Sequence, residues 1–276
     1  MARLTAIQLQ SVPDIIENLA CIETILSTLP ESAEHLVVLP EACLYFGGKD
    51  AQQIEFAEPL GNGFMQKKLA LLAVQYNVYL LAGTIPISSK QDDKFTASSL
   101  LFSPEGKLLN DYQKIHLFDV DVADNEKSYR ESTLTQAGEK LSITTLPSFN
   151  VGMTVCYDLR FPELFRALTK QGADVICVPS AFTKVTGKAH WQALLQARAI
   201  ENQVYIIAAD QEGEHLNGRQ TYGHSMIINP WGEIMTMKAE GVGYVSSNFD
   251  RELISKIRAD IPVARHNKFS VKLNLT

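Results

Sequence analysis

The sequence AEHLVVLP at residues 33–40 contains an unbroken apolar run that ends at a proline. A run of this kind, here residues 36–39, is typical of a β-strand that is buried on both faces. The sequence ADVICVP at residues 173–179 has the same pattern, because its apolar run also follows a predicted helix and ends at a proline. The two segments suggest two similar halves, although similar strands can arise without duplication.

Outward from these two segments, short runs rich in Val, Ile and Leu alternate with amphipathic helical stretches. Apolar residues recur every three or four positions over residues 14–29, which predicts a helix with one buried face. Further predicted helices cover residues 64–77, 162–171, 189–202 and 250–260. Predicted strands cover residues 4–9, 36–39, 78–84, 97–102, 107–112, 151–155, 175–178, 204–209, 223–228, 233–237 and 244–249.

Hairpin turns distinguish this pattern from an all-parallel α/β fold. The sequences SPEG at residues 103–106 and NPWG at residues 229–232 combine Pro and Gly between two predicted strands, which is typical of a β-turn. We therefore predict an α/β fold with two mixed sheets faced by helices, instead of one doubly wound sheet. Because no linker or low-complexity stretch divides the chain, one domain is expected over residues 1–276.

Composition excludes several classes of protein. The chain has 276 residues, and 25 Lys and Arg against 31 Asp and Glu give a formal net charge of −6. This acidic balance argues against a nucleic-acid partner, because binding to phosphates needs an excess of cations. No apolar stretch approaches the ~20 residues of a membrane span, and the N-terminal residues lack the pattern of a signal peptide. We expect a soluble, cytoplasmic protein that contacts no membrane.

Of the four cysteines, Cys156 has the sequence context of a reactive thiol. Cys21, Cys43, Cys156 and Cys177 lie far apart and form no Cys-x-x-Cys pair, which disfavours a disulfide framework or a zinc site. Cys156 lies between a predicted strand and a predicted helix, where helix-end amides and a neighbouring base can activate a thiol. The simpler alternative is a small buried hydrophobic residue. We predict that the other three cysteines are small buried hydrophobic residues of this kind.

Two ionisable residues also stand at the ends of predicted strands. Glu41 follows the run at residues 36–39, where a partly buried carboxylate can act as a general base. Lys114 follows the predicted strand at residues 107–112, and an ammonium group beside a reacting carbonyl stabilises an oxyanion. Taken alone, Glu41 can equally be a surface residue that begins a loop, and a lysine such as Lys114 is most often a solvated side chain. With Cys156 they supply a base, a cation and a nucleophile, which is a set suited to acyl transfer through a thioester.

Three ordered motifs resemble the nitrilase superfamily of carbon–nitrogen hydrolases: LPE at residues 39–41, YQKIHL at residues 112–117 and VCYDLRFPE at residues 155–163. The resemblance implies a four-layer αββα sandwich and a catalytic triad of Glu41, Lys114 and Cys156. It also implies an oxyanion hole formed by Lys114 and the backbone amide of Tyr157, with Glu131 as a supporting carboxylate. No cofactor and no metal ion are implied.

Additional segments resemble one branch of this superfamily, the deaminated glutathione amidases: SAFT at residues 180–183, AHW at residues 189–191, ARAIE at residues 197–201 and YGHSM at residues 222–226. This resemblance implies hydrolysis of deaminated glutathione to 2-oxoglutarate and cysteinylglycine. The ω-amidases share several of these segments, so an enzyme acting on 2-oxoglutaramate or 2-oxosuccinamate is the alternative. A non-catalytic interaction module on the same scaffold is disfavoured, because such a module needs none of the three triad residues.

Three residues near the predicted strand ends are candidates for substrate contact. Phe182 and Thr183 follow the predicted strand at residues 175–178, and Arg160 could bind an acidic substrate or form an ion pair with Glu163. The histidines show no metal-ligand spacing. The polar tail at residues 262–276 is expected at a subunit interface, because such tails join protomers in the family. We therefore expect a homodimer or a higher homo-oligomer that acts on a small-molecule amide.

Overall fold

The structure is a computed structural model that describes residues 2–91, 93–122 and 128–273. The β-strands are Ala2–Gln8 (β1), Glu34–Val38 (β2), Tyr79–Leu81 (β3), Ile85–Ser88 (β4), Phe95–Phe102 (β5), Leu108–Gln113 (β6), Asp119–Asp121 (β7), Ser128–Arg130 (β8), Ile143–Thr145 (β9), Asn150–Met153 (β10), Val175–Ser180 (β11), Tyr205–Asp210 (β12), Glu212–Glu214 (β13), Gln220–Tyr222 (β14), Ser225–Ile228 (β15), Ile234–Lys238 (β16) and Gly243–Asn248 (β17). The α-helices are Ile15–Leu26 (α1), Gln52–Glu55 (α2), Phe64–Gln75 (α3), Pro162–Lys170 (α4), Lys184–Thr186 (α5), Gln192–Asn202 (α6), Arg251–Asp260 (α7) and Val263–His266 (α8).

Two large sheets form the centre of the molecule, and both are mixed. The first has the strand order β17-β1-β2-β3-β5-β4, with β6 added beside β5. Its strands β1, β2 and β3 are parallel, whereas β17 is antiparallel to β1. The second has the order β16-β15-β12-β11-β10-β9, and β10, β11 and β12 are its parallel strands. The prediction of two mixed sheets is confirmed.

Alternation along β2 explains why the run at residues 36–39 is apolar throughout. Leu36 and Val38 belong to the core between the two sheets, whereas Val37 and Leu39 pack in the core beneath the helices. Successive side chains of a strand point to opposite faces, so a strand covered on both faces needs apolar residues at every position. The second segment, at residues 173–179, contributes β11, which also lies between two parallel neighbours.

Helices cover the outer face of each sheet. Helices α1 and α3 pack against the first sheet, and α4 and α6 pack against the second. The Asp14 side chain caps α1 by accepting hydrogen bonds from the amides of Ile16 and Glu17 at 2.8 and 3.0 Å, as an N-cap residue does. The layers therefore follow the order helix, sheet, sheet, helix, and the expected αββα sandwich is confirmed.

Several elements differ from the sequence predictions. The predicted strand at residues 78–84 ends at Leu81, and a separate strand, β4, begins at Ile85. Gly83 lies in this break with a φ of +29°, and a Cβ there would lie 1.7 Å from the carbonyl oxygen of Pro40, so the position accepts only glycine. The first three residues of the helix predicted at residues 189–202 belong to a π-helical turn, Gly187–Trp191, and α6 begins at Gln192. The short hairpins β7–β8 and β13–β14 were not predicted, because three-residue strands carry no readable alternation.

Three further findings concern the predicted exclusions and the tail. None of the helices within the described ranges is both long enough and apolar enough to cross a membrane. All four cysteines are free thiols. The predicted tail begins with the short helix α8, and the residues after it are mostly exposed as far as Leu273. Residues 274–276 lie outside the described residues.

Candidate active site

The carboxyl ends of parallel strands from both sheets meet at one cavity of about 210 Å³. Glu41 follows β2 of the first sheet, Cys156 follows β10 of the second, and Lys114 comes directly after β6. All three line this cavity, together with Glu131. Crevices outside the carboxyl ends of strands are the usual position of ligand sites in open α/β sheets. The structure thus brings the predicted triad together.

Lys114 lies between two carboxylates. Its Nζ donates hydrogen bonds to Glu41 Oε1 at 2.7 Å and to Glu131 Oε2 at 2.8 Å. The other Glu41 oxygen accepts a hydrogen bond from the Ala181 amide at 2.9 Å, and Glu131 Oε2 also accepts one from the Phe118 amide at 2.7 Å. Both carboxylates are therefore held in fixed orientations, and the Lys114 side chain is only 2% exposed.

The charges of this cluster depend on one another. Burial on its own lowers the pKa of Lys114, but the negative charges of Glu131 and Glu41 outweigh this effect and hold its pKa well above the ordinary value. Burial raises the pKa of Glu131, and the charge of Lys114 opposes that rise. Lys114 is consequently a permanent cation at neutral pH, since a buried charge of this kind is retained when it is paired.

Cys156 is buried and has a strained backbone. Its φ is +47°, in the left-handed region that a non-glycine residue adopts at a cost of about 1–2 kcal/mol. Burial raises the pKa of its thiol well above the ordinary value, Glu41 raises it further, and Lys114 opposes the rise. Backbone strain of this kind clusters at functional sites. The resting thiol is therefore protonated and needs a base before it can act as a nucleophile.

Asp158 supports the turn that carries Cys156, and sequence reasoning missed it. Its carboxylate is fully buried and accepts hydrogen bonds from the Val155 amide at 2.8 Å and the Tyr112 hydroxyl at 2.7 Å. It also lies 2.7 Å from Nδ1 of His116 and accepts a hydrogen bond from the His116 amide. A buried carboxylate is stable only with such partners. The acidic residue two positions after Cys156 is the signal that could have identified it.

Two residues at the end of β12, Asp210 within the strand and Gln211 directly after it, support the loops of the site, and sequence reasoning missed both. Gln211 donates hydrogen bonds to the carbonyl of Glu41 at 3.0 Å and to Ser11 Oγ at 2.8 Å. Asp210 is fully buried and accepts a hydrogen bond from the Phe182 amide at 2.8 Å. Burial raises the pKa of Asp210 well above its ordinary value. The pair DQ at the end of an apolar strand was a usable signal, because polar residues rarely continue a buried strand.

Of the residues predicted for substrate contact and for the oxyanion hole, three line the cavity and one does not. Phe182, Thr183 and Tyr157 line the cavity, whereas Arg160 is not among the described residues that line it. The Arg160 guanidinium lies over the rings of Tyr157 and Phe182, 5.9 and 5.4 Å from their centroids. Glu163 is exposed, so the alternative of a buried ion pair between Arg160 and Glu163 is wrong. Arg160 therefore contacts two residues of the cavity wall without lining the cavity itself.

The outer rim of the cavity contains charged residues that the sequence did not identify. Arg219 and Asp50 form a bidentate ion pair, with nitrogen–oxygen distances of 3.1 and 2.6 Å. Arg219 stands at the end of the β13–β14 turn, and its guanidinium lies 5.6 Å from the centroid of the Tyr129 ring. Both ion-pair partners line the cavity. An isolated arginine in a polar stretch carries no pattern that predicts this position.

The inner part of the site has the groups for attack on a carbonyl carbon. A thiol, a carboxylate and a permanent cation line one small cavity, which is the combination required for nucleophilic catalysis with oxyanion stabilisation. Within the described ranges, no group of three or more His, Cys, Asp or Glu side chains is arranged to hold a metal ion.

Comparisons with known proteins identify the family of the chain. The sequence profile of the carbon-nitrogen hydrolase family matches residues 3–259. A deaminated glutathione amidase of Yersinia enterocolitica is 44% identical over 97% of this chain and 93% of its own length. A Saccharomyces cerevisiae protein described as a member of branch 10 of the nitrilase superfamily aligns with a TM-score of 0.85 at 31% identity, covering 97% of both chains.

A second solved structure, the C. elegans NitFhit protein, aligns with a TM-score of 0.87 at 31% identity over 96% of this chain. Our chain spans 65% of the length of that protein. The family profile covers most of the chain, and the Yersinia relative is similar almost from end to end. The chain therefore belongs to the carbon-nitrogen hydrolase family of the nitrilase superfamily and is an enzyme that hydrolyses carbon–nitrogen bonds of linear amides.

Proposed function

We propose that this enzyme is a cysteine-dependent amidase that works through a thioester, with Glu41, Lys114 and Cys156 as its catalytic residues. One observation carries the proposal. Glu41 and Lys114 are hydrogen-bonded at 2.7 Å and line the same cavity as Cys156, whose backbone is strained and whose thiol is protonated at rest. A buried carboxylate beside a buried thiol is positioned to remove its proton.

The first half of the reaction forms the thioester. Glu41 accepts the thiol proton as the Cys156 sulfur attacks the amide carbonyl carbon. The carbonyl oxygen becomes an oxyanion, which Lys114 and the backbone amide of Tyr157 stabilise by hydrogen bonds. When the carbon–nitrogen bond breaks, Glu41 returns the proton to the leaving nitrogen. The products of this half are the free amine and an acyl group bound to the sulfur.

The second half releases the acid. Glu41 removes a proton from a water molecule, which attacks the thioester carbonyl, and the same oxyanion site stabilises the second intermediate. When the carbon–sulfur bond breaks, Glu41 returns its proton to the sulfur, and the carboxylic acid leaves. Glu131 holds Lys114 through hydrogen bonds of 2.8 and 3.0 Å. Its role in both halves is therefore to position the ammonium group or the substrate amide.

For the substrate we propose deaminated glutathione, which would be cleaved to 2-oxoglutarate and cysteinylglycine. The Yersinia relative named for this activity supports the proposal through its 44% identity. Phe182 and Thr183 line the cavity and are proposed to contact the substrate. Arg160, which lies behind Tyr157 and Phe182, is proposed to support their rings or to attract the negatively charged substrate.

Kinetics with two amides test the substrate. Turnover of deaminated glutathione and 2-oxoglutaramate is measured side by side, scoring cysteinylglycine in one assay and ammonia in the other. We expect a higher kcat/KM for deaminated glutathione. A clear preference for 2-oxoglutaramate would instead assign the enzyme as an ω-amidase.

Substitution of the nucleophile tests the mechanism. We expect Cys156→Ala to lower kcat/KM by at least about 10³-fold, because the thioester cannot form. The half-exposed Cys21 provides the matched control, and Cys21→Ser is expected to keep full activity. A Cys156→Ala enzyme with ordinary turnover on every accepted amide would remove the basis of the proposal.

We also propose that the enzyme is a homo-oligomer in which the tail at residues 262–276 contributes to subunit contacts. The described part of this tail is mostly exposed, and Phe269 is 87% exposed, which is unusual for a large aromatic side chain. A reducing compartment such as the cytoplasm is proposed for the enzyme, since the nucleophile must remain a thiol.

A further inference from the structure

We propose that Asp210 is a positioning residue of this enzyme, whose carboxyl group fixes the segment Ala181–Phe182 and, through it, the orientation of the base Glu41. This inference rests on the proposed function and deepens it, because Glu41 is the group that moves protons in both halves of the reaction. Asp210 is not among the described residues that line the cavity. It therefore acts on the chemistry only through the residues that it holds.

Two consecutive amides of the segment that follows β11 are bound by carboxyl groups. The Ala181 amide donates a hydrogen bond to Glu41 Oε2 at 2.9 Å, and the Phe182 amide donates one to Asp210 Oδ1 at 2.8 Å. Only the Cα and the carbonyl carbon of Ala181 separate the two nitrogens, and the peptide unit that joins them is planar. The bond to Asp210 therefore limits where the Ala181 amide can point, and with it one of the hydrogen bonds that orient Glu41.

Asp210 can serve as an anchor because it is itself held in a fixed place. It is the last residue of β12, in register with Ser180 of β11, and it is fully buried. Its own amide donates a hydrogen bond to Ser225 Oγ at 2.9 Å. The carbonyl of Phe182 accepts a hydrogen bond from the Tyr222 amide at 2.9 Å. Phe182 is thus bound on its amide side by β12 and on its carbonyl side by β14.

The carboxyl group of Asp210 acts as an uncharged acid. Two titratable groups of other elements face it, Glu41 after β2 and Cys156 after β10. Burial, reinforced by the negative charge of Glu41, holds the pKa of Asp210 well above its ordinary value, although three backbone amides oppose the rise. Among the described residues, no hydrogen-bond partner reaches its second oxygen, Oδ2. A buried carboxyl group in such surroundings keeps its proton.

The uncharged state of Asp210 matters for the division of labour between the two carboxyl groups. Like charges that face one another in a buried site disfavour ionisation of both groups, so one of them takes up a proton. The proton on Asp210 leaves Glu41, which is paired with Lys114 at 2.7 Å, as the carboxylate that accepts the proton of the Cys156 thiol. Asp210 thereby supplies a hydrogen-bond acceptor without adding a second negative charge beside the nucleophile.

Substitutions of Asp210 in the full-length chain separate its hydrogen bond from its charge. Asp210→Asn keeps an oxygen for the Phe182 amide and is uncharged at every pH, whereas Asp210→Ala and Asp210→Ser lack a carbonyl oxygen there. Asp174→Ala is the matched control, because Asp174 is also buried and accepts a hydrogen bond from the Asn150 amide at 3.2 Å. Asp174 precedes β11 and so lies at the opposite end of the second sheet. Thermal unfolding checks that each variant is folded.

We expect Asp210→Ala and Asp210→Ser to lower kcat/KM for deaminated glutathione at least about 10-fold and to move the acidic limb of its pH profile upward by about one pH unit, because the ionised base loses a donor. Asp210→Asn should keep kcat/KM within about 3-fold of wild type and leave the acidic limb in place. Asp174→Ala should lower the unfolding temperature without moving that limb. At pH 7, the infrared difference spectrum of wild type minus Asp210→Asn should contain the band of a protonated carboxyl group.

Three results would overturn the proposal. A downward shift of the acidic limb in Asp210→Asn, or a difference spectrum without the protonated band, would show that Asp210 is charged in the native enzyme. A loss of activity in Asp210→Asn as large as that in Asp210→Ala would show that the acceptor oxygen is not what matters. Removal variants that keep the wild-type pH profile, or that do not fold, would assign Asp210 to stability alone.

Failure of the proposed function is recognised separately. If the wild type does not hydrolyse deaminated glutathione, the proposed substrate is wrong, and alkylation of Cys156 by iodoacetamide then tests Asp210 without any substrate. Slower alkylation of Glu41→Gln identifies Glu41 as the base in this assay, and an unchanged rate would overturn both proposals. The acidic limb of the alkylation rate should move upward in Asp210→Ala and stay in place in Asp210→Asn. The same profile in both variants and in the wild type would overturn the inference.

Discussion

The environment of Lys114 departs from what its residue type predicts. A lysine in an unknown sequence is most often solvated, yet this side chain is 2% exposed. Its burial is stable because Glu41 and Glu131 approach it within 2.7 and 2.8 Å. Nothing in the spacing of these three residues along the chain predicts that contact. Their convergence was expected only from the ends of predicted strands and from the family resemblance.

His35 lies far from the cavity and makes stability depend on pH. It is buried, its Nε2 lies 2.7 Å from Thr5 Oγ1, and burial together with the charge of Arg3 lowers its pKa from 6.5 to about 4. Between these two values the unfolded chain binds more protons than the folded one, so the free energy of unfolding rises with pH. The contribution of His35 is complete above pH 6.5 and is lost as the pH falls toward 4.

We expect His35 to contribute about 2 kcal/mol to the difference between the free energies of unfolding at pH 7 and at pH 5. Urea unfolding at the two pH values measures it. The control is His35→Gln, which can still bond to Thr5 but cannot titrate, so its pH dependence should be smaller by that amount. Identical pH dependence of the two proteins would show that His35 is not buried as a neutral ring.

At the scale of elements, the turn Cys156–Arg160 depends on one carboxylate. Asp158 accepts hydrogen bonds from Val155, Tyr112 and His116. We expect Asp158→Asn to lower the free energy of unfolding by about 2–4 kcal/mol, because a buried network loses its charged acceptor. Tyr112→Phe removes a single bond and should cost about 1–2 kcal/mol. Urea unfolding measures both values, and equal small losses would contradict the central role given to Asp158.

Gly83, in the break between β3 and β4, packs against the loop that carries the proposed base, Glu41. A Cβ on residue 83 would lie 1.7 Å from the carbonyl oxygen of Pro40, the residue before Glu41. We expect Gly83→Ala to destabilise the protein by about 3 kcal/mol or more and to lower kcat. Gly61→Ala is the matched control, since Gly61 has a φ of +82° with no atom within 4 Å of a Cβ. Gly61→Ala should lower the free energy of unfolding by about 1 kcal/mol and leave kcat unchanged. Equal effects would assign the loss to backbone conformation alone.

Elements with long apolar runs were the most predictable. The segments at residues 36–39 and 175–178 became central parallel strands because burial on both faces leaves a continuous signal in the sequence. The strand predicted at residues 78–84 was too long, since the approach of Gly83 to Pro40 joins residues distant in the chain. The hairpins β7–β8 and β13–β14 went unpredicted, and with them the rim residues Arg219 and Tyr129.

For the whole molecule, periodicity predicted two mixed sheets, but only the family resemblance predicted that they stack face to face. The stacking places the end of β2 beside the ends of β10 and β11, as the bond from the Ala181 amide to Glu41 shows. Sequence periodicity describes each strand separately and contains no information on which sheets are neighbours. The triad could therefore be predicted as a set of residues. The residues at the rim of the cavity and the hydrogen bonds that hold the triad could be identified only from the structure.

The proposed assembly gives a prediction at this scale. We expect the protein to sediment at no less than twice its monomer mass of 30.6 kDa. A chain shortened by removing residues 262–276 should sediment at a lower mass, because the exposed tail no longer reaches a partner. Sedimentation equilibrium measures both proteins, with circular dichroism as the check on folding. A monomeric full-length chain, or a shortened chain of unchanged mass, would contradict the role given to the tail.

The way the β13–β14 hairpin is attached has a consequence for engineering. Gln211 joins its base to the carbonyl of Glu41, while Arg219 occupies its far end. The hairpin is thus anchored beside the proposed base at one end, while Arg219 at its other end lines the cavity. We expect libraries that randomise residues 216–219 while retaining Gln211 and His215 to change which amides the enzyme accepts without rebuilding its reaction centre.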